Sequence, residues 1–292
     1  MSEKLPYKFG WIPDYPDIRD YTENHGKVKS LLSGVKLPSD SSIPAKADLR
    51  KWCSPIENQG NIGACTAHAV AGVVEYFENR SFGKYLDASR LFLYKATRNL
   101  LHYTGDTGAF LKSSIGALVL FGMPPEEYWP YDTERFDDEP DAFCYAFAQN
   151  YRCISYFRHD PGGAAPAETL SSVKKYLAAG IPSVFGFTVY QSIRQADKDG
   201  KIPFPGRKEK ILGGHAVSAV GYDDKMEIAG MPEANVTKGA LLIRNSWGAG
   251  WGEGGYGWLP YEYVLKGIAV DFWSVVKQEW IDTRLFVVED GI

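Results

Sequence analysis

Apolar residues follow a helical spacing in the first half of the chain. From Gly63 to Asn79 they cover nearly the whole circumference of a helix, which predicts a buried helix. The segments DASRLFLYKATRNL and AFLKSSIGALVLFG predict two further helices, the second of them ended by Gly122 and Pro124. The first half is therefore expected to be mainly helical.

Beyond about residue 155 the pattern changes to short runs of β-branched and aromatic residues, separated by glycine-rich or charged loops. The runs that predict strands are IPSVFGFTVY, HAVSAVGYD, GALLIRNSW, YGWLPYEYV and AVDFWSVVK. Helices followed by strands, with no internal repeat, indicate an α+β fold with two lobes. Functional sites in such folds usually lie in the cleft between the lobes.

These sequence patterns divide the chain into three segments. Residues 1–42 are rich in Pro, Tyr and Asp and show no helical period, which predicts an extended N-terminal arm. Residues 43–155 are expected to form a mainly helical lobe, and residues 156–292 a mainly β lobe.

Composition disfavours several classes of partner. The 292 residues have a formal net charge of −4 and contain no long basic run, so neither nucleic acid nor a membrane surface is an expected partner. No apolar segment approaches the roughly eighteen residues of a membrane span, and the N-terminus lacks the pattern of a secretory signal. We therefore predict a cytoplasmic, monomeric protein.

Cysteine usage argues against a disulfide scaffold and against a metal site. The cysteines Cys53, Cys65, Cys144 and Cys153 are few for a chain of this length, and none forms a CxxC pair. No metal and no cofactor are therefore expected, although a bridge between Cys144 and Cys153 stays open.

The stretch NQGNIGACTAH, residues 58–68, contains a candidate nucleophile. Cys65 stands at the start of the predicted buried helix, where the unpaired N–H groups and the helix dipole favour a thiolate. An inert core cysteine is the alternative for a residue considered alone. His68, three residues further on, is an alternative base on the same helix face.

Two further polar residues lie far downstream, in predicted strands. His215 belongs to LGGHAVSAVGYD, and Asn245 to LLIRNSWGAGWGEGGYGWLP. An imidazole and an amide that orients it would then come from the opposite lobe. A thiolate, a histidine and an orienting amide together indicate nucleophilic catalysis.

In this order, the blocks resemble those of the papain-like cysteine peptidases, the family of papain and the cathepsins. The resemblance covers residues 43–275 and comprises Q-G-x-x-G-x-C, His-Ala-Val and Asn-Ser-Trp-Gly. It implies a papain-like two-lobed fold, with a helical lobe, a β-barrel-like lobe and the active-site cleft between them. The arm segment FGWIPDYPDIRDY resembles bacterial members that lack the long helical prodomain.

The resemblance also implies a role for each catalytic position. Cys65 would attack the scissile carbonyl, His215 would pair with its thiolate and protonate the leaving amine, and Asn245 would orient the imidazole. The Gln59 side chain and the Cys65 backbone N–H would form the oxyanion hole. Trp247 would cover the bond between histidine and asparagine.

Substrate contacts are implied at five positions. Gly108 and Ala109 are candidates on the strip that pairs with substrate backbone. Gly186 and Gly214 are candidates in the pocket for the second residue before the scissile bond, and Trp247 is the candidate over the histidine. The family expectation for that pocket is an apolar side chain. Ile62 replaces the family's disulfide cysteine, which fits a reducing compartment, and Thr66 replaces the tryptophan that usually packs beside the nucleophile.

The leading hypothesis is an endopeptidase that cleaves a peptide or protein substrate through an S-acyl enzyme. The arm, residues 1–42, is predicted to lie on the catalytic domain and to occlude or gate the cleft. Two alternatives remain open: a thiol acyltransferase or amidase on the same fold, and a catalytically silent protein-binding module.

Overall fold

The computed structural model describes residues 6–151, 155–231 and 235–286. The helices are α1 Gly26–Leu31, α2 Cys65–Phe82, α3 Arg90–Leu100, α4 Leu111–Phe121, α5 Ala142–Ala148, α6 Pro166–Ala178, α7 Tyr261–Leu265 and α8 Gln278–Ile281. The strands are β1 Lys46–Asp48, β2 Ser155–Arg158, β3 Ser183–Tyr190, β4 Ile211–Ile228, β5 Thr237–Arg244, β6 Tyr256–Pro260 and β7 Ala269–Val276. Helices dominate before residue 155 and strands after it, so the α+β prediction is confirmed.

The strands form one antiparallel sheet in the order β2-β7-β3-β4-β5-β6, with β1 paired to β4. The sheet begins at β2 and ends at β6 without these two strands pairing, so the strand lobe is open rather than a closed barrel. His215 lies opposite Phe187 in the β3–β4 register, and Ser218 lies opposite Arg244 in the β4–β5 register. This register brings the candidate histidine and the end of β5 to the same side of the molecule.

The three predicted helices correspond to α2, α3 and α4, and α4 ends at Gly122, which has φ 77°. The strand prediction is wrong for residues 261–264, because the chain turns at Pro260 into α7. The prediction of an arm without helix is wrong for α1, and α6 was not predicted. Within the described ranges, no helix is both long and apolar enough to cross a membrane.

The arm consists of two parts that contact the body differently. Residues 20–42, here called the anchor segment, are bound to the strand lobe: the Tyr21 carbonyl accepts the Arg158 N–H at 2.7 Å, and Val28 is fully buried in the core. Residues 7–12, here called the cleft segment, lie against the N-terminus of α2 and strand β4. Between the two, Tyr15 and Ile18 are 87% and 104% exposed.

Val28 gives a test of the anchor segment. Val28→Ala removes two buried methyl groups and is expected to lower the free energy of unfolding by about 2 kcal/mol, measured by denaturant titration. Lys27→Ala is the matched control, because Lys27 is exposed on the same helix, and it is expected to change stability by less than about 0.5 kcal/mol. Equal effects of the two substitutions would contradict a docked anchor segment.

Candidate active site

Cys65 is the first residue of α2 and is completely buried. Burial raises the pKa of its thiol to about 11, because a thiolate would lose its hydration. The backbone N–H groups of Ala216 and Gly10 act in the opposite direction, since they bond to the sulfur and favour its charged form. The candidate nucleophile therefore lies between its own helix, strand β4 and the cleft segment.

His215 and Asn245 are brought together by the β4–β5 pairing. His215 Nε2 lies 2.8 Å from Asn245 Oδ1, and that oxygen also accepts the Ser246 N–H at 2.8 Å. Because Oδ1 is the acceptor in both bonds, Nε2 carries the imidazole proton. The other ring nitrogen, Nδ1, has no hydrogen-bond partner in the described part of the chain and is the basic atom.

Burial also determines the charge of the imidazole. It lowers the pKa of His215 to about 4, against the smaller opposing effect of the bond to Asn245. With the Cys65 pKa raised to about 11, both groups are neutral near pH 7. The resemblance predicts a thiolate–imidazolium pair at this site, whereas the burial of Cys65 and His215 favours the neutral form of each group.

Trp247 covers the histidine, as predicted for its position. Its ring stacks on the imidazole with centroids 4.7 Å apart and meets Trp251 edge-on at 5.2 Å. Tyr7 of the cleft segment stacks on Trp247 at 4.6 Å with an interplanar angle of 3°. The indole thus shields the bond between His215 and Asn245 from solvent and contacts the bound arm.

Gln59 is fully buried, and both ends of its amide are hydrogen-bonded. Nε2 donates to the carbonyl oxygens of Lys8 and Ile62, each at 2.9 Å. Oε1 accepts the Ser246 hydroxyl at 2.6 Å, which fixes the NH₂ group toward the cleft. Ser246 was missed by sequence reasoning, although it directly follows Asn245 in the motif.

The predicted backbone strip is occupied by the cleft segment. Ala109 N–H donates to the Gly10 carbonyl at 2.8 Å, and Ile12 N–H donates to the Ala109 carbonyl at 3.0 Å. Gly108 has φ 76°, and a Cβ added there would lie 2.1 Å from the Gly10 oxygen. Glycine is required at this position for both reasons, conformation and close approach.

The predicted side-chain pocket is also occupied. Trp11 N–H donates to the Gly214 carbonyl at 3.1 Å, and its indole lies on Gly186, where an added Cβ would be 1.8 Å from Cε2. The structure therefore brings the predicted site residues together around the cleft segment, with Asn245 linked to this segment through His215. They are Gln59, Cys65, Gly108, Ala109, Gly186, Gly214, His215, Asn245 and Trp247.

Asp106 is a second residue that sequence reasoning missed. Its Oδ1 accepts the Gly63 N–H at 2.8 Å and the Tyr94 hydroxyl at 2.5 Å, and its Oδ2 lies 2.6 Å from Lys8 Nζ. The carboxylate thus connects the loop before Cys65 to the backbone strip and to the arm. The signal was its place in TGDTGAF, beside the predicted strip.

The remaining candidates take structural positions. His68 is buried, and its Nδ1 lies 3.1 Å from the Ala64 carbonyl oxygen rather than bonding to the Cys65 sulfur. Ile62 is buried at the position of the family's disulfide cysteine, and Thr66 Oγ1 accepts from Ser114 Oγ at 2.9 Å. Cys144 has a free thiol, and Cys153 lies outside the described residues.

No group of three or more His, Cys, Asp or Glu side chains in the described ranges is placed to hold a metal ion. A helix-terminal thiol, a histidine oriented by an amide, and an amide N–H donor define instead the class of thiol-dependent hydrolases built on two lobes.

Comparison with known proteins identifies the family. Residues 43–271 match the papain family cysteine proteases. An uncharacterized peptidase C1-like protein, L477 of Acanthamoeba polyphaga mimivirus, is 30% identical over 94% of this chain and 88% of its own length. Papain of Carica papaya is 26% identical over 81% of this chain and 59% of its own length.

The crystal structure of xylellain, a cysteine protease from Xylella fastidiosa, superimposes with a TM-score of 0.73. It is 32% identical and covers 95% of this chain and 99% of its own. The chain belongs to the papain family of cysteine proteases, and it is accordingly a hydrolase.

Thiol reactivity tests the electrostatic state of the covered site. At pH 8 we expect Cys65 to be alkylated roughly a hundredfold more slowly than a free exposed cysteine, because the thiolate fraction falls tenfold per unit of raised pKa. The rate should climb as the pH approaches about 11. Alkylation followed by mass spectrometry of the Cys65 peptide measures it, and a rate that has already levelled off near pH 7 would contradict a neutral pair.

Gln59, the predicted oxyanion donor, and Ser246, which bonds to the Gln59 amide, give a second test. Gln59→Ala is expected to lower kcat/KM for a peptide substrate by a factor of about 10² to 10³, the usual cost of one oxyanion donor. Ser246→Ala leaves that donor in place but frees its orientation, so a smaller loss of about tenfold is expected. Steady-state kinetics measure both, and Ser192→Ala is a matched control because Ser192 is a buried serine of the strand lobe away from this network. A Ser246→Ala enzyme with unchanged kcat/KM would show that the bond does not position the amide.

Proposed function

We propose that this papain-family peptidase is an endopeptidase whose cleft is gated by its own N-terminal arm. The observation that carries the proposal is the 2.9 Å hydrogen bond from Gln59 Nε2 to the Lys8 carbonyl. A peptide carbonyl already occupies the donor that an oxyanion needs, beside the buried thiol. The arm therefore acts as a peptide ligand of the site.

Cleavage within a chain requires room on both sides of the nucleophile, and the cleft segment supports such room. Tyr7 lies on Trp247 at one side, and Trp11 lies on Gly186 at the other. A continuous peptide thus passes the thiol with residues bound before and after it. This continuity favours an endopeptidase over an enzyme that removes terminal residues.

In the proposed acylation step, the Cys65 sulfur forms a bond to the scissile carbonyl carbon while the thiol proton passes to His215 Nδ1. The carbonyl oxygen becomes an oxyanion that accepts from Gln59 Nε2 and the Cys65 N–H. Nδ1 then gives its proton to the amide nitrogen, the carbon–nitrogen bond breaks, and the amine leaves. Asn245 keeps Nε2 protonated throughout, so Nδ1 remains the atom that exchanges the proton.

Deacylation reverses these roles with water. His215 Nδ1 takes a proton from a water molecule whose oxygen attacks the thioester carbon, and the second oxyanion uses the same two donors. The carbon–sulfur bond breaks, the carboxylic acid is released, and the proton returns to Cys65. Hydrolysis is complete without any group from outside the chain except water.

The direction in which the arm runs through the cleft explains why the arm is not cleaved there. Gly186 and Gly214 are predicted to hold the second residue before the scissile bond of a substrate, but there the arm places Trp11, which follows Lys8 in the chain. The arm therefore runs opposite to a productive substrate. Gly10 directs its N–H toward the Cys65 sulfur.

Burial and backbone pairing hold this gate more than charge does. The Lys8–Asp106 pair has a lysine side chain 47% exposed, and such pairs contribute about 0–1 kcal/mol. Trp11 is 6% exposed and fills its pocket. Because any substrate must first displace the arm, the open fraction multiplies its apparent kcat/KM.

Gly10→Ala tests the gate without removing any residue. A Cβ at position 10 would lie 2.0 Å from the Gly63 carbonyl oxygen, so alanine cannot occupy this place in the cleft. We expect faster cleavage of an internal bond in a fluorogenic peptide, by about tenfold or more, and faster labelling of Cys65 by an epoxide inhibitor.

Gly26→Ala is the matched control, because an added Cβ at this other arm glycine meets nothing within 4 Å. Its turnover should equal that of the unaltered chain. Cys65→Ala combined with Gly10→Ala should abolish cleavage. Equal turnover and labelling of the Gly10→Ala protein and the unaltered chain would refute gating, and labelling without turnover of any peptide would refute the endopeptidase.

A further inference from the structure

The pocket that holds Trp11 contains a buried carboxylate at its inner end. We infer that this pocket selects a substrate side chain with a ring N–H donor, above all tryptophan, and that Asp271 is the residue that determines this specificity. The inference rests on the proposed function, because it assigns the Trp11 pocket to the second residue before the scissile bond. It replaces the family expectation of a merely apolar side chain at that position.

The walls of the pocket fit an indole. Gly186 lies flat beneath the ring, since an added Cβ would be 1.8 to 2.3 Å from three atoms of the Trp11 indole. A Cβ at Gly214 would lie 2.8 Å from Trp11 Cε3. Neither wall leaves room for a side chain of its own, so the pocket has the width of an aromatic ring system bound against backbone.

The carboxylate of Asp271 uses its two oxygens for two indoles. Oδ2 accepts Trp11 Nε1–H at 3.1 Å, and Oδ1 accepts Trp273 Nε1–H at 2.7 Å. Asp271 is 0% exposed and has φ 67°, in the left-handed region that non-glycine residues seldom adopt. The strand is irregular here, and the carboxylate consequently faces the pocket.

Asp271 belongs to a buried cluster of charged side chains centred on Arg158. Arg158 Nη2 lies 3.4 Å from Asp271 Oδ1, and Arg158 also contacts Asp20 and Asp160 at 3.0 Å each. Asp160 also accepts the Asp271 N–H at 2.6 Å. Because one guanidinium serves three carboxylates, charge alone does not reject a substrate arginine or lysine, and the preference for tryptophan comes from the flat walls of the pocket and the bond to the ring N–H.

Release of the arm leaves Asp271 Oδ2 without its donor. A leucine or phenylalanine that filled the pocket would bury this acceptor unpaired, which is costly, whereas tryptophan restores the bond made by Trp11. The discrimination arises from the lost bond and from the ring shape together. Phenylalanine, which keeps the aromatic ring, isolates the contribution of the N–H group.

Four fluorogenic peptides that differ only at the second residue before the scissile bond test the inference on the full chain. With Trp, Phe, Leu and Arg at that position, we expect kcat/KM to be at least about tenfold higher for Trp than for Phe. The ratio is independent of the gate, because the open fraction multiplies both values equally. A ratio near one, or a preference for Arg over Trp, overturns the inference.

Asp271→Asn assigns the effect to the carboxylate. An amide has only one acceptor oxygen, and because Trp273 is always present, that oxygen stays with Trp273 and the NH₂ group faces the pocket. The Trp-to-Phe ratio should therefore fall to about one or below, while cleavage of the Phe peptide is retained. Asp199→Asn, at an exposed aspartate of the same lobe, should leave the ratio unchanged. An equal loss with all four peptides would mean a merely structural role and overturn the inference.

A readout without catalysis separates this inference from the proposed function. Trp11→Phe in the full chain should speed alkylation of Cys65 by about tenfold, and the effect should largely vanish when Asp271 is already asparagine. Slow labelling of the Trp11→Phe protein, as in the unaltered chain, overturns the inference whether or not a peptide is cleaved. Faster labelling without cleavage of any of the four peptides supports donor recognition and refutes the endopeptidase.

Discussion

The passage of Arg244 across helix α2 at Gly72 determines how the two lobes meet. A Cβ at Gly72 would lie 2.4 Å from Arg244 Nη1, so glycine leaves the space in which the guanidinium reaches the Ser54 hydroxyl at 2.9 Å and the Pro55 carbonyl at 2.6 Å. Ser218 of β4 adds a bond to the Ala69 carbonyl at 3.0 Å. With α2 held against β4 and β5 in this way, its first residue is placed beside the strand that carries the histidine.

The same packing buries Cys65 and His215, and this loss of contact with water shifts the pKa of both side chains. The helix N-terminus and the neighbouring N–H groups favour a thiolate at Cys65, but the burial of this side chain has the larger effect and raises the pKa of the thiol. Burial lowers the pKa of the His215 imidazole, because it disfavours the charged form of that group as well. The exclusion of water from both side chains therefore favours their neutral forms.

Sequence reasoning succeeded where local pattern and motif carry the information. The long apolar helices α2, α3 and α4 and the motif residues Gln59, Cys65, His215 and Asn245 were all recognisable from spacing and order. Helix α6 was missed although its buried Leu170, Val173 and Leu177 recur at helical spacing after Pro166 at the first turn. Helices α1 and α7 are short, and packing around them outweighs a weak local preference.

The sequence by itself determined the family, the helix that begins at the nucleophile, and the set of residue types that the chemistry needs, because these depend on neighbours along the chain. Only the tertiary structure decided which carbonyl lies on Gln59, that Ser246 orients that amide, and that Asp271 meets Trp11 across 260 residues of sequence. Hydrogen bonds between distant segments leave no periodicity in the chain. The charge of Cys65 likewise depends on its burial, which arises only from tertiary packing.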